Sequence, residues 1–249
     1  MNFDIIVLSI SAIFTSIISA TVGMAGGTIL LSILLIYYNP ATAIPLHAFN
    51  QVVSNARRSW LLRSHIHLAF MYAFCAGAII GNTISAWLIR ETVTLTHSPL
   101  LIAFVIFYSL LKPKKLPSLK PQRFGFFVAG LFLGFIGMFV GATGLILASL
   151  FVREDMSKEQ IMATQGAIQT FSHGLKVIGF VWIGFDFIPW LLPLAFMSVA
   201  TILGTTLGLK YFYKMSDLFF KRTYKFILLL SSMYLVITWC YSNFFFIIV

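Results

Sequence analysis

Gly23-Met24-Ala25-Gly26-Gly27-Thr28 interrupts an apolar stretch near the start of the chain, and Gly141-Ala142-Thr143-Gly144 interrupts another one 118 residues later. Each glycine weakens a helix by about 1 kcal/mol relative to alanine, so both stretches predict a break between two helices. Broken backbone at membrane depth is tolerated only where protein or a wet cavity surrounds it. A helix that restarts there directs free N–H groups into the cavity, which favours an anion. Tight helix crossing is the alternative explanation of these glycines.

A polar stripe follows each glycine break, again at a separation of 118 residues. Each stripe has the spacing i, i+3, i+4, i+7, which places its members on one face of a helix. The first consists of Gln51, Ser54, Asn55 and Arg58, and the second of Gln169, Ser172, His173 and Lys176, while His47 and Gln165 extend the match by one turn. Amides, hydroxyls and a cation facing a cavity are suitable donors for an oxyanion. The duplication indicates that half of a substrate pathway occurs twice.

We therefore predict a substrate-binding site built from the two breaks and the two stripes. Its members are Gly23, Gly26, Gly27, Thr28, Gln51, Ser54, Asn55, Arg58, Gly141, Gly144, Gln169, Ser172, His173 and Lys176. Backbone N–H groups at 26–28 and 144–145 are expected to hold the oxygens, with Arg58 and Lys176 as counter-charge. Lys176 is the strongest single candidate, because an ionisable residue inside a span costs ~2.5–3.5 kcal/mol on insertion scales and is usually functional.

Three alternatives stay open for these residues. The helix 43–62 could lie flat at the cytoplasmic interface, with Arg57, Arg58 and Arg63 facing headgroups. Lys176 could extend its ammonium to a membrane surface if it lies near the outer third of a span. His173 could take up a proton near neutral pH, although a buried histidine is more often a plain hydrogen-bonding residue.

Composition predicts an all-α polytopic membrane protein. The 249 residues are 59% hydrophobic and only 10% charged, with a mean hydropathy of +0.95, whereas soluble domains are about a quarter charged. Candidate segments of the length that a bilayer requires, or of a half-length, are 5–22, 25–38, 43–62, 67–89, 98–111, 124–140, 143–152, 158–184, 187–209 and 224–248. The short segments 25–38 and 143–152 are expected to be halves of broken helices. Glycines four residues apart, such as Gly77 and Gly81, predict close helix packing.

Charge placement predicts the topology. The net charge is +10, and the basic residues cluster in short loops at 112–123 and 210–225, which is typical of cytoplasmic loops and not of a nucleic-acid surface. With the sparsely charged regions outside, each half has an odd number of segments and the halves are inverted. We predict one membrane domain over 1–249, with repeat 1 at 1–111, a proline-containing cytoplasmic linker at 112–123 and repeat 2 at 124–249. Both termini are expected outside, and a homo-oligomer is left open.

Several classes of function are disfavoured by what the membrane segments contain. All seven acidic residues fall at segment ends or in loops, which argues against a carboxylate-based ion relay. His65 and His67 have no third ligand at a suitable spacing, so no metal site is predicted. No cofactor and no catalytic set is predicted either, and we expect a protein that is not an enzyme.

At these residues the chain resembles the sulfite exporter TauE/SafE family, a group of bacterial anion transporters. The resemblance rests on Gly23-Met24-Ala25-Gly26-Gly27, on the 43–62 helix with Ala48 and Ser54, on Gly137 to Gly144 and on the Ala163–Lys176 helix. It covers nearly the whole chain. The chain departs from the family pattern in lacking a proline shortly after either glycine cluster.

The resemblance implies a multi-pass transporter in the bacterial inner membrane. Its substrate is expected to be a small anion, a sulfur oxyanion or an organosulfonate, bound near the midplane between the repeats and moved by alternating access. The alternative from another class is a non-transporting membrane subunit that stabilises a partner complex through its glycine-rich and aromatic faces.

Overall fold

The computed structural model describes residues 3–23, 25–91 and 122–240, and these residues are almost entirely helical, without a strand. Within these ranges the chain forms nine α-helices: α1 (Phe3–Val22), α2 (Gly26–Tyr37), α3 (Pro40–Leu61), α4 (Leu68–Glu91), α5 (Arg123–Val140), α6 (Gly144–Ser149), α7 (Lys158–Trp182), α8 (Leu191–Lys214) and α9 (Asp217–Cys240). Short 3₁₀ helices at Arg63–His65 and Ile188–Trp190 precede α4 and α8. The predicted segment 98–111, most of the linker 112–123 and the end of segment 224–248 lie outside the described residues.

The prediction of a polytopic all-α membrane protein is confirmed. Four helical stretches within the described ranges are long and apolar enough to cross a bilayer: Ile5–Val22, Leu68–Arg90, Arg123–Val140 and Ile188–Lys214. Large apolar side chains such as Phe14, Leu192 and Phe124 are exposed on these helices. An exposed apolar surface of this kind suits lipid. The chain is therefore a multi-pass membrane protein.

Two pairs of spanning helices pack with their backbones in close approach. On α4, a Cβ added at Gly77 or Gly81 would meet the carbonyl oxygens of Phe127 and Leu131 on α5. On α8, a Cβ at Gly204 would meet the carbonyl of Ile13 on α1. The contacting residue numbers rise together in both pairs, so α4 runs parallel to α5 and α1 runs parallel to α8. These glycines serve close packing, as their spacing predicted.

The polar helices α3 and α7 cross the interior and pack against each other. They are antiparallel, because Arg58 lies beside Gly166 near one end and the His47 ring lies beside the His173 ring near the other. Asn39 caps the start of α3 by accepting a 3.0 Å hydrogen bond from the Thr42 N–H. Ser157 and Gln160 form a capping box at the start of α7. The two polar stripes thus face each other inside the protein.

Basic residues gather at one end of the helix bundle. Lys158, at the start of α7, donates hydrogen bonds to the carbonyl oxygens of Phe212 and Met215 at the end of α8. Lys221, in the first turns of α9, donates to the carbonyl oxygen of Glu154 at 3.2 Å. At the opposite end, the Tyr38 ring contacts the Trp190 ring with centroids 5.1 Å apart. One end of the bundle is therefore basic, and the opposite end carries an aromatic contact.

Candidate functional site

Both glycine breaks coincide with helix ends. After α1, Gly23 has φ +87° and Ala25 has φ +70°, and α2 begins at Gly26. After α5, Gly141 has φ +73°, and α6 begins at Gly144. Positive φ is readily adopted by glycine, whereas at Ala25 it carries backbone strain. The Gly23 N–H donates to the Ser19 carbonyl at 2.7 Å, and the Gly141 N–H donates to the Gly137 carbonyl at 3.1 Å.

Residues 118 apart make equivalent contacts around the two breaks. A Cβ at Gly23 would lie 2.7 Å from the Met162 sulfur of α7, and a Cβ at Gly141 would lie 3.2 Å from the Ile44 Cγ2 of α3. Ile44 and Met162 are themselves 118 residues apart. Each break therefore packs against the polar helix of the other half of the chain.

The two stripe glutamines cover the starts of the half-length helices. A Cβ at Gly27 would lie 3.0 Å from Gln51 Oε1, and a Cβ at Gly144 would lie 2.9 Å from Gln169 Nε2. Gln51 and Gln169 are both buried. Their amides consequently lie beside the backbone that begins α2 and α6.

A cavity that is partly open to solvent lies between the breaks and the two polar helices, and its empty space, including the solvent at its mouth, is about 310 Å³. The predicted site residues that line it are Gly23, Gly27, Thr28, Gln51, Asn55, Arg58, Gly144, Gln169 and His173. Ser19, Ala25, His47 and Ala142 complete the lining. Its polar groups are hydroxyls, amides, imidazoles and one guanidinium, with no carboxylate among the described lining residues. This combination of donors without acidic groups suits an anion.

Arg58 provides the cation of the cavity. Only 2% of its surface is exposed, and one terminal nitrogen donates to the Ser19 carbonyl at 3.0 Å while the other donates to Asn55 Oδ1 at 2.6 Å. Asn55 in turn donates from Nδ2 to the Gln51 carbonyl at 2.8 Å and lies 3.3 Å from Gln51 Oε1. These bonds hold the stripe in one arrangement. Because Arg58 is buried inside the protein, the alternative that it faces headgroups is wrong.

Lys176 lies beside the cavity and does not line it. Its side chain is fully buried, and its ammonium donates to the Gly141 carbonyl at 2.8 Å. A Cβ at Gly137 would come within 2.6 Å of Lys176 Cε, so the lysine passes tightly over the end of α5. The alternative that Lys176 reaches a membrane surface is wrong, because no part of the residue is exposed.

The remaining predicted site residues also lie outside the lining. A Cβ at Gly26 would meet the Thr15 carbonyl, so this glycine lets α2 approach α1. Ser54 Oγ is 3.4 Å from Thr205 Oγ1 of α8. Gly141 and Ser172 are buried around the cavity without lining it.

His47 lines the cavity but was treated from the sequence only as an extension of the first stripe. Its Nε2 is 2.9 Å from the Gly27 carbonyl, and its ring stands edge-on to the His173 ring with centroids 5.6 Å apart. The position i−4 from Gln51 was the signal that could have identified it. Ser19, Ala25 and Ala142 carried no such signal beyond their proximity to a glycine break.

Comparison with known proteins gives one match. The sequence model of the family described as Sulfite exporter TauE/SafE matches residues 8–235. The matched region contains both glycine breaks, both polar stripes and all the residues that line the cavity. No curated protein and no solved structure matches the chain.

Proposed function

The chain belongs to the sulfite exporter TauE/SafE family, and we propose that it carries a sulfur oxyanion or an organosulfonate across the membrane as a secondary transporter. The family is one of membrane anion transporters, so the chain is assigned to that class. The proposal concerns the chemical identity of the anion, the transport mechanism and the position of the anion-binding site.

One observation carries the proposal. The interior cavity is lined by Arg58, by the amides of Gln51 and Gln169 and by the hydroxyl of Thr28, with no carboxylate in the described lining. A cation with several neutral donors is a suitable environment for tetrahedral or pyramidal oxyanions. A cation relay would require acidic groups at this depth instead.

Backbone donors are assigned to the start of α2. A helix has no internal partners for its first N–H groups, and its dipole places partial positive charge there. Gly27 and Thr28 line the cavity at this point, and α2 has 12 residues. By contrast α6 has only six residues, so its contribution through Gly144 and Leu145 is smaller. The anion's oxygens are therefore placed nearer to α2 than to α6.

Alternating access follows if the halves are inverted copies, with repeat 1 at 1–111 and repeat 2 at 124–249. Two sets of contacts support this arrangement: α1 packs parallel to α8 while α4 packs parallel to α5, and Gly23 with Met162 mirrors Gly141 with Ile44. If each repeat adopted the conformation that the other repeat has here, the cavity would open to the other side of the membrane. In that opposite state Lys176 takes the lining position that Arg58 has here.

The proposed location is the bacterial inner membrane, with both termini outside. The gathering of Lys158, Lys214 and Lys221 at one end of the bundle supports placing that end in the cytoplasm, because cytoplasmic ends carry the excess of lysine and arginine. Single cysteines introduced at exposed Lys214 and exposed Asp186 should react with a membrane-impermeant thiol reagent from opposite sides. Labelling of both from one side would contradict this orientation.

The deciding experiment is anion flux in proteoliposomes. The purified chain is reconstituted and presented with sulfite, methanesulfonate, taurine, phosphate and acetate, with protein-free liposomes as the control for leak. We expect saturable flux of sulfite or of a sulfonate. Acetate should inhibit this flux only weakly. Absence of saturable flux for every anion would overturn the proposal and leave the role of a non-transporting membrane subunit as the better explanation.

A further inference from the structure

The two cavity histidines each have one ring nitrogen without a hydrogen-bond partner among the described residues. His47 and His173 are 1% and 2% exposed, and within the described ranges neither Nδ1 atom has a hydrogen-bond partner. Leaving a buried polar atom without a partner costs about 1–3 kcal/mol, so such an atom calls for an explanation. Both histidines line the cavity and they come from different halves of the chain. The two free atoms therefore belong to residues that line the place where the proposed substrate binds.

The tautomer of His47 follows from its one partner. Its Nε2 is 2.9 Å from the Gly27 carbonyl oxygen, which can only accept a hydrogen bond. Nε2 must therefore carry the proton in the neutral ring, and Nδ1 must carry the lone pair. The unpaired Nδ1 of His47 can accept a proton or a hydrogen bond, but in the neutral ring it cannot donate one. It is a proton acceptor beside the anion cavity.

The charges around His47 connect proton binding to anion binding. Lys176 of α7 is close enough to repel a positive charge on either ring, and Arg58 lies further along α3. Tyr224 of α9 interacts with Arg58, while the lining residues of α1, α2 and α6 include no titratable side chain. A proton added to His47 is thus repelled by Lys176 and attracted by an anion in the cavity. By linkage, each ligand strengthens the binding of the other.

We propose that this chain moves a proton together with its anion, and that the proton binds at Nδ1 of His47. This inference rests on the proposed transport function. The proton leaves water on one side, forms an N–H bond at Nδ1 and makes the ring an imidazolium that pairs with the anion. When the cavity opens to the other side, that N–H bond breaks and the proton returns to water. His173 is a positioning residue whose ring edge holds the His47 ring in place.

The second half of the chain supplies a suitable test substitution. The position equivalent to His47 is Gln165, which is also buried, on α7. A glutamine amide can donate to the Gly27 carbonyl as Nε2 does, but it cannot bind a proton near neutral pH. His47→Gln therefore removes the proton site while keeping the contact. His65→Gln is the matched control, because His65 is exposed and lies away from the cavity.

The test measures proton movement with a pH-sensitive dye trapped in proteoliposomes under an inward gradient of sulfite or, in parallel, of methanesulfonate. The membrane potential is clamped and leak in protein-free liposomes is subtracted. Methanesulfonate stays unprotonated near neutral pH, so a proton that accompanies it must be carried by the protein. With the wild type and His65→Gln we expect the lumen to acidify as anion enters. A gradient of one pH unit should also drive accumulation on the order of tenfold if one proton accompanies a monovalent anion.

His47→Gln should lose acidification and accumulation, while exchange of anion for anion becomes slower but stays measurable, because His47 also lines the cavity. His173→Asn, which copies the equivalent residue Asn55, should lower accumulation less, since it removes only the support of the His47 ring.

Anion entry in the wild type without acidification would overturn the inference while leaving the transport function intact. Acidification by His47→Gln equal to that of the wild type would also overturn it. If His47→Gln does not fold, unchanged accumulation by His173→Asn decides against the inference, and accumulation that falls by a larger factor than anion exchange supports it. Absence of any anion flux in the wild type would instead remove the proposed function.

Discussion

The two cationic positions of the stripes have equivalent places in the chain and different surroundings. Arg58 lines the cavity and divides its terminal nitrogens between the Ser19 carbonyl and Asn55. Lys176 is enclosed and makes one described hydrogen bond, to the Gly141 carbonyl. Both reach the carbonyl end of the first helix in their own half, where a positive charge interacts well with the helix dipole. Only one of the two can touch a ligand in this arrangement.

The different surroundings of Arg58 and Lys176 indicate two roles that the sequence pattern alone does not distinguish. A cation near a helix end can stabilise the break, or it can face a substrate, and Arg58 has the geometry for both. Lys176 has the geometry for the first role alone, and it acquires the second only in an opposite-facing state. Substitutions compared between the two breaks, or between neighbouring positions of one stripe, can separate these roles.

The largest effect is expected where the two breaks differ in packing. At Gly26, an added methyl group would overlap the Thr15 carbonyl of α1, and backbone cannot move aside cheaply. At Gly144, the nearest atom is the terminal amide nitrogen of Gln169 at 2.9 Å, which can rotate away. Gly26→Ala should therefore abolish folded, monodisperse protein in detergent, whereas Gly144→Ala should fold and lose about tenfold in flux. Size-exclusion profiles and flux per folded protein measure the two outcomes. Equal behaviour of both variants would contradict the described packing.

The next effect concerns the cavity cation. Arg58→Gln removes the guanidinium and leaves the Ser19 carbonyl and Asn55 without their partner. Loss of a buried charged partner costs about 2–5 kcal/mol, so sulfite flux should fall on the order of a hundredfold or more. Arg57→Gln is the control: Arg57 is half-buried and donates to Thr206 of α8 at 3.3 Å. Its flux should stay within about twofold of the wild type. A similar loss in both variants would assign Arg58 to general packing.

The helices and both breaks could be predicted because they depend on local properties. Hydropathy and segment length indicated α1, α4, α5 and α8, and glycine indicated the ends at Gly23 and Gly141 because it adopts positive φ without strain. The spacing i, i+3, i+4, i+7 was enough to place Gln51, Asn55 and Arg58 on one face. A face of a helix follows from spacing alone, and it does not depend on which helix lies opposite.

The membership of the cavity could be predicted only in part, because it also depends on how α3 and α7 cross. Sequence reasoning ranked Lys176 first since a lysine inside an apolar run is costly, yet that cost is met here by a backbone carbonyl. It treated His47 only as an extension of the first stripe, because its contact with the His173 ring depends on how the two helices pack. The distance from each side chain to the axis between the two helices is a tertiary property.

The third prediction is that a substitution at Lys176 preserves or raises stability but lowers flux. Lys176→Met replaces a fully buried charge, which has no carboxylate partner among the described residues, by an apolar side chain of similar length. Such replacements are often neutral or stabilising. The thermal midpoint in detergent should be unchanged or higher, while flux falls about tenfold because the opposite-facing state lacks its cation. A lower midpoint with normal flux per folded protein would show that Lys176 only caps the end of α5.

The smallest effect is expected within the first stripe, between two residues one turn apart. Ser54 has a long hydrogen bond of 3.4 Å to Thr205 and does not line the cavity, whereas Gln51 does. A neutral hydrogen bond contributes about 0.5–1.5 kcal/mol, and one of this length belongs at the low end, so Ser54→Ala should lower the midpoint by ~1–2 °C and leave flux within about twofold. Gln51→Ala should lower flux about tenfold. If Ser54→Ala lost as much flux as Gln51→Ala, both faces of this turn would contact substrate during the cycle, and α3 would have to rotate about its axis. Equal and small effects of both variants would instead leave recognition to Arg58 and the start of α2.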